Sequence, residues 1–197
     1  MDNPLQEGHT VQPDRPPPMI SEERIREMIE RLAREIERDH PPGATLLLVP
    51  AMKGAICFCA DLMRKLHMPV ELELLQPSSY HGQTRGELSL EGRLDPHRMA
   101  GEHVLLLDCV LDSGSTLAAM QRHAVARGPA SVKTCVLVNK RVERANDIQP
   151  DYVGVEIEDE FIVGYGLDCA DRWRHLPYIA VVPENERPEE EICNPHE

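Results

Sequence analysis

A chain of 197 residues, 41% of them apolar, is long enough for one domain of ordinary size around a single core. Its net charge of −13 argues against a nucleic-acid binder, which would show a basic face, and against an anionic membrane surface as partner. A phosphorylated small molecule stays possible, because a metal ion and local backbone N–H groups outweigh the global charge at short range.

Residues 1–18 are polar and proline-rich and read as a disordered tail, without the basic and apolar segments of a secretory signal. Residues 19–182 read as one domain, and residues 183–197, acidic and broken by proline, as a second tail. The domain opens with "ISEERIREMIERLAREIERDH", an amphipathic helix whose Ile25, Met28, Ile29, Leu32 and Ile36 share one face, with Ser21 as its cap. "TLLLVPAM" follows as a buried strand, then Lys53-Gly54, then the helix "AICFCADLMRKLH". "VELELLQ" alternates as a strand does. The polar, glycine-bearing "SSYHGQTRGELSLEGRLDP" is longer than a connection needs and reads as a mobile functional loop.

Beyond that loop, "HVLLLDCVL" is a continuous apolar strand, "TLAAMQRHAVARG" a helix ending at Gly128, and "SVKTCVLVNK" another strand. Strands alternating with helices predict an α/β domain with a mostly parallel sheet covered on both faces. Ligands in such folds bind beyond the carboxyl ends of the strands. No apolar run approaches the length of a membrane span. The six cysteines, several inside apolar segments, read as reduced buried thiols and hence a cytoplasmic protein. Without a CxxC pair, no structural zinc is expected.

The stretch "VLLLDCVLDSGSTLAAM" concentrates the chemistry. Asp108 and Asp112, four apart on one strand, share a face and an end. Ser113, Gly114, Ser115 and Thr116 then lead into a helix, where backbone N–H groups and hydroxyls suit a phosphate monoester. By itself the segment also fits an ordinary capped helix after a strand. Neither a Walker loop nor GxGxxG is present.

"VLLLDCVLDSGSTL" resembles the phosphoribosyl-diphosphate signature of the type I phosphoribosyltransferases: two acids, two apolar residues, then Asp-Thr/Ser-Gly-x-Thr. "VPAMKGAICFCADLMRKL", "SSY", "VLVNKRVER" and "PDYVGVEIEDEFIVGYGLDCADRWRHLPYIAVV" resemble, in order, further segments of the hypoxanthine-guanine branch. The resemblance spans roughly residues 19–182. It implies a Rossmann-like sheet flanked by helices, with a small hood built from the N- and C-terminal segments. The implied reaction moves a phosphoribosyl group from 5-phosphoribosyl 1-diphosphate to N9 of hypoxanthine or guanine, with Mg2+. The small-molecule substrates would be the partners, in a homodimer or homotetramer, with no nucleic acid or membrane. The alternative is a catalytically weak, nucleotide-binding paralogue that acts as a regulator or partner subunit.

The resemblance also assigns roles. Asp112 would be the general base at purine N7, and Ser113, Gly114, Ser115 and Thr116 the 5′-phosphate cradle. Lys53 and Gly54 would hold diphosphate in a loop with a cis Met52–Lys53 peptide, helped by Arg174. Lys140 would donate to the purine 6-oxo group, Phe161 would stack on the ring, and the backbone at Ile162 would read its edge. Asp168 would sit beside the purine site and a magnesium ion, and Ser79 and Tyr80 would belong to a closing loop. Without the resemblance, Lys140 and Arg174 would read as solvated charge and Phe161 as core. One position departs from the pattern. Where the family usually has Glu-Asp for the ribose hydroxyls and metal, this chain has Asp108 and Cys109. A thiol is a poor acceptor and a poor magnesium ligand. Cys109 is therefore either a weakened sugar contact, which Cys109→Asp would repair, or an inert buried thiol.

Overall fold

The structure, a computed structural model, describes residues 15–74 and 98–182. Ser79, Tyr80 and both expected tails beyond these bounds lie outside the described residues. Five parallel strands form the main sheet, in the order β3-β2-β4-β5-β6. They are β2 (Leu46–Pro50), β3 (Val70–Leu72), β4 (His103–Leu111), β5 (Ser131–Lys140) and β6 (Tyr152–Ile157). A separate antiparallel sheet pairs β1 (Pro18–Ile20) with β8 (Ile179–Val181), and β8 with β7 (Ile162–Val163). It joins N- and C-terminal segments, as expected for the hood.

The helices are α1 (Glu22–Arg38), α2 (Ile56–Met63) and α3 (Ser115–Val125). In α1 the Ser21 hydroxyl accepts the Arg24 N–H at 3.2 Å, so the expected cap is made. Its five expected apolar residues are all buried. The uniform apolarity of β4 has a two-sided cause. Leu105, Leu107 and Cys109 enter the cluster that includes α1 and α2, while Val104 and Leu106 enter the one that includes α3. A strand packed on both faces has no polar side to alternate with.

Several elements are shorter than their sequence pattern: β2 keeps five residues of "TLLLVPAM", and α3 stops at Val125, before Gly128. Strand β3 ends at Leu72, before Glu73 and Leu74 of the same pattern, and lies at the sheet edge, where the alternating glutamates Glu71 and Glu73 pair with Arg98. Helix α2 stops at Met63, and Lys65 and Leu66 both bond back to the Leu62 carbonyl in a tightened last turn. Cys57, Cys59, Cys109 and Cys135 are free thiols. Cys169 is disulfide-bonded, which corrects the reading of reduced cysteines throughout; spacing alone carries no pairing information. Among the described residues no helix is long and apolar enough to cross a membrane.

Candidate active site

Because all five strands run the same way, their carboxyl ends gather on one edge of the sheet. The β4–β5 register pairs Leu111 with Asn139, so the next residues, Asp112 and Lys140, emerge side by side. The Lys140 ammonium lies 2.6 Å from the Asp112 carboxylate and 3.3 Å from that of Asp159. Only 8% of the Lys140 side chain is exposed, against 51% for Asp112. A cation that buried requires close anionic partners, and the two acids supply them. Asp159 also brings the segment of Phe161 beside Lys140.

Past Asp112 the chain turns through Gly114, at φ +77°, into α3. A side chain at Gly114 would overlap the Ile148 methyl and lie 2.9 Å from the Asn146 amide oxygen. Glycine is needed there for conformation and for space. The N-cap of α3 makes no side-chain hydrogen bond; the Ser115 N–H reaches only the Ser113 hydroxyl, at 3.4 Å. The N–H groups opening α3, with the nearby hydroxyls, form the kind of site an anion fills.

Asp108, earlier on β4, is buried. Burial pushes its pKa up to about 7, against two backbone N–H donors, from Cys109 and Val110, that pull it down. Cys109 is 0% exposed and lies in the α1–α2 core cluster. Its thiol is 3.8 Å from the Tyr165 carbonyl oxygen, and burial raises its pKa well above the thiol range. Full burial supports the packing reading of Cys109 over the sugar-contact reading.

From the other side comes the loop after β2. The Met52–Lys53 peptide is cis, as expected, and Lys53 is exposed. Gly54 abuts Gly166, where φ is +100° and a Cβ would overlap the Gly54 carbonyl oxygen. This contact brings the Lys53-Gly54 loop against the segment that carries Asp168 and Arg174. Arg174 donates to the Gly166 carbonyl at 2.6 Å and pairs with Asp168 at 2.6 Å, while the Asp171 N–H donates to the other Asp168 oxygen at 2.9 Å. Tyr165, Ala170, Asp171 and Trp173 all hold positive φ near +50° to +66°, a concentration of left-handed non-glycine residues typical of functional segments. Phe161 is partly buried against the cluster of Val163, Trp173 and Leu176, and Ile162 is buried in β7.

The family model of the phosphoribosyl transferase domain matches residues 20–170. Hypoxanthine phosphoribosyltransferase of Salmonella typhimurium is 37% identical over 167 residues, which is 83% of this chain and 93% of that protein. The chain belongs to the hypoxanthine-guanine phosphoribosyltransferase family. Its fold is the type I phosphoribosyltransferase fold. A crystal structure of a hypoxanthine-guanine phosphoribosyltransferase from Bacillus anthracis aligns with a TM-score of 0.78 at 38% identity, covering 85% of this chain and 98% of that one. The Trypanosoma cruzi hypoxanthine phosphoribosyltransferase, in complex with its product IMP, aligns with a TM-score of 0.78 at 34% identity, covering 86% and 95%.

The structure thus groups Asp112 with Lys140, the 113–116 loop directly after them, and Lys53-Gly54 with Asp168 and Arg174. Sequence reasoning passed over Arg144 and Asn146. Asn146 donates to the Ser113 carbonyl at 2.9 Å and borders Gly114; Arg144 binds main-chain carbonyls beside Asp112. Backbone acceptors have no residue signature, so only coordinates reveal such contacts.

Proposed function

We propose that the protein transfers the phosphoribosyl group of 5-phosphoribosyl 1-diphosphate to N9 of hypoxanthine, guanine or both, releasing diphosphate and forming IMP or GMP. The observation that carries this reading is the Lys140–Asp112 pair at adjoining strand ends, directly before an anion-binding turn. A 6-oxopurine presents an oxygen acceptor beside N7 on one edge. The Lys140 ammonium complements the oxygen, and the Asp112 carboxylate complements N7–H. As N9 bonds to C1′ and the C1′–diphosphate bond breaks, Asp112 takes or shares the N7 proton.

In this reading the N–H groups and hydroxyls from Ser113 to Thr116 hold the 5′-phosphate, and Lys53, Gly54 and Arg174 face the diphosphate. Phe161 and the backbone at Ile162 take the purine ring, and Ser79 and Tyr80 belong to the closing loop. Asp108 serves the sugar, and Cys109 packs. The donors suit magnesium. Asp108 and Asp168 offer hard oxygen atoms, and among the described residues no three His, Cys, Asp or Glu side chains gather into an all-protein cage. The other ligands would be diphosphate oxygens and water, as magnesium prefers, and the ion would neutralise charge on the leaving group. A homodimer or homotetramer is part of the same proposal, on the family likeness.

The reading as a catalytically weak paralogue draws on the changed acid pair, Asp108 and Cys109; the burial of the thiol supports packing there instead. The test is to incubate the protein with phosphoribosyl diphosphate, magnesium and either base, and to follow nucleotide and diphosphate by chromatography. Equimolar IMP or GMP and diphosphate is expected. No product from either base overturns the proposal.

A further inference from the structure

We infer that Arg144 is a positioning residue for this transfer, holding the two strand ends that present Asp112 and Lys140; the inference rests on the function proposed above. The Arg144 Nε donates to the Asp112 carbonyl at 2.6 Å. Its Nη2 faces three acceptors: the Leu111 carbonyl at 3.0 Å, the Asn139 amide oxygen at 2.8 Å and the Lys140 carbonyl at 2.5 Å. Nη2 has two protons, so these three acceptors share them.

Four contacts therefore link one guanidinium to the last residues of β4 and β5. Both residues whose side chains form the candidate base-reading pair, Asp112 and Lys140, are gripped by their main chains. Two residues further on, Asn146 donates to the Ser113 carbonyl. Three consecutive carbonyls, those of Leu111, Asp112 and Ser113, thus accept from side chains of one short segment.

That sequence of acceptors has a chemical consequence. In a planar trans peptide the C=O and N–H point in opposite directions. Carbonyls turned toward Arg144 and Asn146 leave the following N–H groups turned away from that segment. Those N–H groups belong to Asp112, Ser113 and Gly114, at the entry to the phosphate-binding turn. The clamp therefore orders the general base, the base-reading lysine and part of the phosphate cradle together. Arg144 donates from two nitrogens at once, Nε to the Asp112 carbonyl and Nη2 to acceptors on both strand ends; a lysine, with a single nitrogen, cannot reproduce both sets of contacts.

The test compares wild type, Arg144→Lys and Arg144→Ala for IMP formation, thermal melting and rescue by millimolar guanidinium. In Arg144→Ala, kcat should fall by about 10²-fold, the scale of an ångström-level misplacement. Added guanidinium should restore kcat by at least about tenfold, while leaving Asp112→Asn unrestored. If Arg144→Ala does not fold, Arg144→Lys decides. Its kcat should fall by at least about tenfold while its melting temperature stays close to that of wild type. Arg144→Lys at wild-type kcat, or a folded Arg144→Ala that guanidinium does not restore, overturns the inference. A wild type without product overturns the proposed function instead. Arg144 is then read by calorimetric IMP binding, where Arg144→Ala should lose at least about tenfold in affinity and unchanged affinity refutes its role.

Discussion

Replacing Cys109 by aspartate restores the acid usual at this position, yet the geometry predicts that the change damages the protein. Cys109 is 0% exposed among Leu105, Leu107 and the residues of α1 and α2. Its thiol faces the Tyr165 carbonyl oxygen, which can accept a hydrogen bond but cannot pair with a carboxylate. The preceding Asp108 is itself pushed to about 7 by burial. A second carboxylate there is either ionised without a partner or held protonated against the ambient pH. Burying a poorly satisfied polar group costs about 2–5 kcal/mol. For a chain of this size that corresponds to a fall of about 5–20 °C in melting temperature.

The assay is thermal unfolding of wild type and Cys109→Asp at pH 8 and pH 5.5. The deficit should shrink at the lower pH, where the introduced carboxyl, once protonated, can donate to the Tyr165 carbonyl. The variant should show no gain in affinity for phosphoribosyl diphosphate. A variant that melts with wild type at pH 8 and binds that substrate tenfold more tightly would refute the packing argument and return the position to the sugar.

Asp112→Asn should retain substrate binding but lower kcat by about 10²-fold, the usual scale for a positioned acid–base group; unchanged turnover in the folded variant removes Asp112 from the proton transfer. Asp108 holds a proton in the folded state that the unfolded chain has released, between pH 3.8 and about 7. Its contribution to stability is therefore complete below the unfolded pKa and is lost as pH rises through 7. Denaturant titrations of the ligand-free protein should show up to about 3 kcal/mol lost from this group between pH 5 and 8; in Asp108→Asn that component should be absent, and equal pH dependence in both proteins would refute it. Gly166→Ala puts a Cβ into the Gly54 carbonyl at a left-handed φ. The Michaelis constant for phosphoribosyl diphosphate should rise by about tenfold, since the Lys53-Gly54 loop must shift; an unchanged constant would show that the two loops are not coupled.

Much of this fold is legible because its signals are redundant. The strands "HVLLLDCVL" and "SVKTCVLVNK" coincide with β4 and β5 to the residue, since a doubly buried strand has apolar residues throughout and polar punctuation at both ends. The pattern overextends β3, because alternating Glu and Leu has the same period whether or not a neighbouring strand is there to pair. The pairing of Asp112 with Lys140 follows from two motifs 28 residues apart once the strands are parallel neighbours in register. Cys109 was ambiguous for the opposite reason. Sequence puts it beside Asp108, but successive strand residues face opposite sides, and the distinction between cleft and core lies in what α1 and α2 cover. Arg144 was invisible because its partners are carbonyls, and every residue has one.

The charge of the chain gains a local meaning from the same geometry. A substrate with several phosphate charges must bind a protein of net charge −13, and two cations of the site do not stand free to meet it. Lys140 is held by Asp112 and Asp159, and Arg174 by Asp168 and Asp171. Each pairing lets a partly buried cation exist before substrate arrives, while competing with that substrate. On the proposed roles, purine oxygen and diphosphate would compete with carboxylates already in place, and those carboxylates are the groups proposed for the proton and the metal. On those roles, binding the base would free Asp112 toward N7, and binding diphosphate would free Asp168 toward the cation. Substrate entry and the arming of the two acids would then be one event, and an acidic protein would tolerate it because the attraction is built from paired groups and backbone N–H donors at the strand ends.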